Sequence, residues 1–432
     1  MSAHPSYAIS PHLPVLGGTP LEFVLFAATL VAVAVFHHRT LQIALTGLAA
    51  IVAYKLAFTG FSSGPGMPGL AAHLRQEWVM LANLLCLLVG FAVLANHFEK
   101  SRVPEVLPKF LPGDWKGCFI LLAMVFLLSG ILDNIAAALI GGTVAATVFR
   151  RKVHIGYLAA MVAAANAGGA GSVIGDTTTT MMWLDGLSPL KVLDAYVAAA
   201  VALVVCGIPA SIQQQRHAPI VKSDAQLPPI DWPRIAIVAL ILLAAIGTNV
   251  LVNFEFRQLA DEFPFIGAAI WIVILACAPW RRPEWNLLPK AFWGGIFLIS
   301  LVAAASLMPV DRLPPASWQS SFALGLISSV FDNIPLTALA LKQGGYDWGL
   351  LAFAVGYGGS MIWFGSSAGV ALSNIYPQAK SVGLWLRHGW HVAVAYVVGF
   401  FVMLMLLGWN PDAEHRVKTA GLQVPASPVQ KF

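Results

Sequence analysis

Two carboxylates, Asp133 and Asp176, lie in the stretch Ser129–Trp183, within sequence otherwise apolar enough to sit in a bilayer. Even insertion scales put an ionised side chain at mid-membrane at about 2.5–3.5 kcal/mol, so such residues mark ion or substrate paths. Each also stands at a helix breaker: Asp133-Asn134 interrupts one apolar run, and the glycines of Gly168–Gly175 interrupt the next. Lipid tolerates broken backbone only where protein buries it or it lines a cavity. Charge plus interrupted helix predicts an ion or substrate site. The pattern recurs as SSVFDNI at 328–334, followed by GYGGSMIWFGSS at 356–367.

Asp133 and Asp332 are candidates for cation coordination or proton exchange, and equally for capping the helix that follows each of them. Asn134 and Asn333 add neutral carbonyl oxygens, which suit a hard cation such as sodium. Asp176 aligns with Ser366 in the second occurrence, so one carboxylate breaks the symmetry. An extra negative charge helps a sodium or proton site and does nothing for an anion. Removal from water also favours a carboxyl that can take up and release a proton. The structural alternative for Asp176 is an N-cap to Thr178 or Thr179. Thr177 and Thr178, beside the break, offer hydroxyls, although threonine in apolar helices usually bonds back to its own backbone. Ser360, Ser366 and Ser367 have the same standing in the second half. Gly168, Gly169, Gly175, Gly358, Gly359 and Gly365 are expected to serve backbone geometry and close helix approach. Pro335 fits a first helical turn. Asn83 and Asn249 are read as interhelical hydrogen-bonding groups, and Asn166 is a third amide in an apolar run.

The 432 residues are 58% hydrophobic and only 10% charged, and mean hydropathy is +0.76. Soluble domains carry about a quarter charged residues, so the composition is that of a polytopic membrane protein. The net charge of +5 is spread over short loops, where it sets topology, and gives no reason to expect nucleic acid. Cys86, Cys118, Cys206 and Cys277 each fall in an apolar run without paired spacing, so neither disulfide nor bound metal is expected, and no cofactor. His37, His38, His154, His388 and His391 read as loop-edge residues. Trp78, Trp183, Trp280 and Trp409 read as interfacial anchors. No cleavable signal peptide is visible in residues 1–20.

The expected fold is all-α and polytopic: two inverted repeats, about ten spanning helices, two re-entrant hairpins and two broken helices. Residues 1–20 form a periplasmic tail. The first repeat, 21–210, has scaffold helices over 21–97, separated by a Gly/Pro-rich link at 60–77. A hairpin at 116–149, a broken helix at 155–184 and a helix at 190–210 complete it. A cytoplasmic linker covers 211–233. The second repeat, 234–409, has scaffold helices over 234–308, a hairpin at 316–341, a broken helix at 347–373 and a helix at 389–409; 410–432 is a tail. Gly168 to Gly175 and Gly358 to Gly365 have equal spacing, each after an Asp-Asn-Ile. An odd number of crossings per repeat inverts the second against the first. Arg39, Lys100, Arg102, Arg150, Arg151, Lys152, Arg216, Arg281, Arg282 and Arg387 then share one side with both termini on the other. The positive-inside rule makes that basic side cytoplasmic.

Four stretches resemble the ion transporter superfamily, and within it the NhaD-type sodium/proton antiporters: LDNIAAAL at 132–139, NAGGAGSVIGDTTTTMMW at 166–183, FDNIPL at 331–336 and VGYGGSMIWFGSSAGVA at 355–371. The segment 380–400 is also similar, and the likeness runs from about residue 80 onward, with little signal before residue 77. Val173 departs from the pattern, where a proline is expected before Ile-Gly-Asp. The resemblance implies a multi-pass protein of a bacterial inner membrane, with a scaffold and a moving transport domain, usually in a homodimer, and an elevator-like shift driven by the proton gradient. Carried over by position, it makes Asp133, Asp176 and Asp332 the sodium/proton carboxylates, with Asn134, Asn333, Thr177 and Ser366 as supporting ligands. Relatives of the same fold carry citrate, dicarboxylates or arsenite, so a sodium- or proton-coupled organic-anion transporter is the alternative cargo reading. An intramembrane aspartyl protease, suggested by Ile174-Gly175-Asp176, leaves the repeat unexplained.

Overall fold

The computed structural model describes residues 15–16, 19–36, 39–106, 109, 111–221, 229–254, 256, 259 and 262–412. The tail expected at 1–20, His37 and His38, the middle of the interior linker, and residues 413–432 lie wholly or largely outside the described residues. A two-residue antiparallel ladder, Val15–Leu16 with Thr19–Pro20, precedes the first helix; among the described residues all that follows is helix or loop, apart from an isolated bridge between Phe61 and Gly64.

Nineteen α-helices follow among the described residues. The opening group is α1 (Leu21–Val35), α2 (Thr40–Tyr54), the long α3 (Gly66–Lys100) and a short α4 (Val103–Val106). Next come α5 (Trp115–Ser129), α6 (Asn134–Val148), α7 (Ile155–Ala170), α8 (Thr177–Leu184), α9 (Pro189–Leu193) and α10 (Ala195–His217). A second opening group, α11 (Trp232–Phe254), α12 (Phe265–Cys277) and α13 (Leu288–Ser306), leads to α14 (Trp318–Ser328), α15 (Asn333–Gln343), α16 (Trp348–Gly358) and α17 (Ser367–Ile375). The chain closes with α18 (Val382–His388) and α19 (Trp390–Leu407).

Apolar helices bury their backbone polar groups internally, which is what a bilayer demands. Six helical segments are long and apolar enough to cross: Thr40–Thr59, Gly66–Lys100, Pro189–His217, Trp232–Val252, Trp285–Ser306 and Trp390–Leu407. The chain is an all-α polytopic membrane protein. Two single helices expected to span, α1 and α12, are shorter, with 15 and 13 residues. At 1.5 Å per residue they reach only about 20 Å, less than a hydrocarbon core of about 30 Å.

Two boundaries differ from expectation. The link at 60–77 is mostly helix, because α3 starts at Gly66 and Pro68 falls in its first turn, where a missing N–H costs nothing. The linker at 211–233 starts later, because α10 continues through Gln213–Gln215 to His217. Buried Gln214 explains it: its amide donates to the Lys152 and Ala218 carbonyls, and its carbonyl accepts from the His154 N–H. Trp183 is buried in an apolar cluster, not an interfacial anchor. His391 is fully buried in the first turn of α19, not at a loop edge.

The centre of the molecule is made by α7 and α16. Every residue from Gly156 to Ala170 is buried, and so is every residue of α16. The two helices pack against each other and against α10, with α5 and α6 beside α7 and α14 beside α16. Beyond them the pairing crosses over: α6 packs on α17, and α15 packs on α8. On one side α3 and α13 close the assembly, touching α8 and α15 respectively.

Candidate functional site

Four helix restarts surround the centre, and each is capped by a side chain at its break. Asp133 Oδ1 accepts from the Ala136 N–H at 2.7 Å, and Asp332 Oδ1 from the Ile334 N–H at 3.0 Å. Asp176 Oδ1 accepts from the Thr178 N–H at 3.2 Å, and Ser366 Oγ from the Gly369 N–H at 3.3 Å. Each cap satisfies a donor that a helix start leaves open. The capping expected for the aspartates is therefore present.

Between the restarts lies a cavity of about 50 Å³. Its polar lining comes from Asp133, Asn134, Asp176, Thr177, Thr180, Asn333 and Ser367. Leu84, Leu87, Leu88 and Phe91 of α3, with Leu298 of α13, close it on the apolar side. Asp176 is 2% exposed, and its Oδ2 accepts from the Asn333 amide at 3.3 Å. Asp332 is not in the lining; its Oδ2 accepts from Ser367 Oγ, which is, at 3.4 Å. Asp332 and Asp133 are both close enough to Asp176 for their charges to repel, Asp332 more strongly. Thr178 and Ser366 do not line the cavity. No three His, Cys, Asp or Glu side chains among the described residues gather as a metal cluster. A cation seated here would take a mixed set of carboxylate, amide and hydroxyl oxygens.

Among curated proteins, the chain is 25% identical over 404 residues to the Na(+)/H(+) antiporter NhaD of Alkalimonas amylolytica, covering 80% of each. The chain is a relative of the NhaD-type sodium/proton antiporters. It is also 29% identical over 290 residues to sodium/proton antiporter 1 of Arabidopsis thaliana, and 30% identical over 284 residues to antiporter 2 of the same plant. Those two matches take 57% of this chain and 48% and 66% of the relatives, so the chain spans about half to two thirds of their lengths. No family model matches. The names of these NhaD-type relatives are those of transporters, not enzymes.

In this NhaD relative the six glycines sit where backbones touch. A Cβ on Gly168 would come within 2.0 Å of the Phe126 carbonyl oxygen, and one on Gly358 within 2.2 Å of the Gly325 carbonyl. Thus α7 lies directly on α5, and α16 directly on α14. Thr179 and Thr180 bond back to the Asp176 carbonyl at 2.9 Å, and Thr180 also to the Val173 carbonyl at 2.9 Å, tying the broken segment together.

Two further groups join the candidate site. Fully buried Asn166 accepts from the Asn134 amide at 3.0 Å and donates to Ser360 Oγ at 2.9 Å, a polar chain across the boundary between the halves. Gly356 faces Asp176: a Cβ there would stand 3.2 Å from Asp176 Oδ2. Asn166 and Gly356 occupy corresponding positions, ten residues before Asp176 and Ser366. That alignment is a signal in the sequence; the partners across the boundary are not.

Proposed function

We propose that the protein is a secondary transporter exchanging sodium or lithium for protons. One observation carries the reading: the buried Asp176 carboxylate, where both halves meet, caps the start of α8 and lines the cavity. A site that binds either a cation or a proton, never both, couples their opposite movements by competition. Asp133 and Asp176 with the Asn134, Asn333, Thr177 and Ser367 oxygens supply hard donors for sodium. Asp332 and Thr178 act from behind the lining, by charge and by helix position, and Ser366 by capping α17.

The domain reading belongs to the same proposal. α1–α3 and α11–α13 form a scaffold, and α5–α8 with α14–α17 form a transport unit of two inverted hairpin-and-broken-helix repeats. Support comes from the matched element order, the crossed packing of α6 on α17 and α15 on α8, and a cavity between the unit and α3 and α13. Elevator-like movement of that unit, a homodimer, a bacterial inner membrane and termini outside complete the reading. The named activities of the relatives support the ion exchange.

The organic-anion alternative meets two obstacles. Pockets that bury organic ligands run to roughly 300–1,000 Å³, and this one is about 50 Å³. Two carboxylates in the lining repel an anion. The peptidase alternative has no counterpart among these relatives. Everted vesicles loaded with a pH-sensitive dye test the proposal: sodium or lithium, without citrate, relieves an imposed proton gradient. A response that requires citrate, or none to either cation, overturns it.

A further inference from the structure

We propose that the end of the bundle where α6 turns into α7 holds an anionic phospholipid. Its phosphate sits among Arg151, Lys152, His154, His217 and His388, and an acyl chain lies in the adjoining groove. This goes beyond ion exchange and does not depend on it.

The headgroup pocket encloses about 310 Å³, and no acidic residue lines it. Arg151, Lys152 and His154 come from the turn after α6, His217 from the end of α10 and His388 from the end of α18. The His154 ring stands 5.0 Å from that of His388 and 5.4 Å from that of His217, centroid to centroid. His154 Nδ1 accepts from the Gly156 N–H at 3.2 Å, so its other nitrogen is left for a ligand. Burial, then the neighbouring His388 and His217, lower the His154 pKa below its ordinary value. A phosphate beside His154 would favour its charged form. Such convergence of cations without counter-charge is built for an anion.

What selects a lipid over free phosphate is the surroundings. A second cavity of about 460 Å³ shares Arg151 and Gln378 with the first and continues along Thr143 and Ala146 of α6 and Ile375, Tyr376 and Pro377. An acyl chain attached to a phosphate in the first cavity would have this second one beside it. Beside it, Val382, Leu384 and Leu386 of α18 and Trp390 are 37%, 40%, 48% and 53% exposed. Apolar side chains and a tryptophan turned outward beside basic residues fit the level of lipid headgroups.

The test uses the full chain purified in neutral detergent. Its thermal unfolding midpoint is read with added phosphatidylglycerol, phosphatidylcholine or inorganic phosphate. Phosphatidylglycerol is expected to raise the midpoint by several degrees at levels where the other two shift it by less than one. Replacing Arg151, Lys152 and His388 together by Gln removes that shift, whereas Arg282→Gln keeps it. Equal shifts from phosphatidylcholine, equal shifts from inorganic phosphate, or an undiminished shift in the triple variant would each overturn the assignment. Native mass spectrometry of the unaltered protein decides the matter if the triple variant does not fold. Retained phosphatidylglycerol in preference to phosphatidylcholine supports the site, and no preference refutes it.

Discussion

In the first half Asn134 gives its amide to Asn166; in the second, Asn333 gives its amide to Asp176, across the boundary between the halves. The reason lies at Gly356. It occupies the position of Asn166 but has no side chain, and an Asp176 carboxylate oxygen stands 3.2 Å from where one would begin. The opposite substitution occurs at the restarts, where Asp176 faces Ser366. On the proposed repeat, unlike side chains at two aligned positions turn a pair of equal seats into one charged seat. Ser360, which aligns with Ala170, completes the exchange by reaching back to Asn166.

The largest effect is expected from removing the charged member. Asp176→Asn leaves an equally good cap for α8 but no exchangeable proton, so sodium-driven proton movement falls below about 1% of the original. Membrane insertion and thermal stability stay intact; near-normal exchange would restrict Asp176 to capping. Gly356→Asn equalises the halves and crowds the carboxylate out. The sodium concentration for half-maximal dye response then rises roughly tenfold, equal to about 1.4 kcal/mol, and an unchanged value would show that the vacancy has no part in binding. Asn166→Ala strands the Asn134 amide and the Ser360 hydroxyl, which lowers stability by about 1–3 kcal/mol, read as a drop in the unfolding midpoint in detergent. Smallest is Ser366→Ala, which loses only a cap, about 1 kcal/mol, and keeps exchange; if it matched the loss in Asp176→Asn, the two seats would be equivalent after all.

The breaks at 130–133, 171–176 and 359–366 could be read from the chain because Asp-Asn pairs and clustered glycines act locally. The same local reading misplaced the starts and ends of helices whose exceptions depend on distant partners. Gln214 looks like linker until the loop at Lys152–His154 arrives to use its amide, and Pro68 looks like a break until it is seen to fall in a first turn. Asp133 and Asp176 reach one cavity, while Asp332 stops one side chain short of it. No spacing rule distinguishes those outcomes, because they depend on how α15 rests against α8 and α13. Trp183 shows the same limit: a tryptophan near a helix end is an anchor only if nothing packs over it.

Asp176 holds the α8 start through Oδ1 and meets the Asn333 amide with both oxygens, more closely at Oδ2, and this bears on timing. On the proposed cycle Oδ1 keeps the Thr178 N–H as cargo changes, so α8 need not unwind. Oδ2 meets an amide, and an amide can turn over: Asn333 offers N–H to a bare carboxylate and its carbonyl oxygen to a protonated one. A side-chain flip of that kind takes nanoseconds or less where there is room, far shorter than a domain displacement. On the proposed cycle the swap of ion for proton is therefore the quick step, and the pace of turnover is set by how fast the surrounding helices slide.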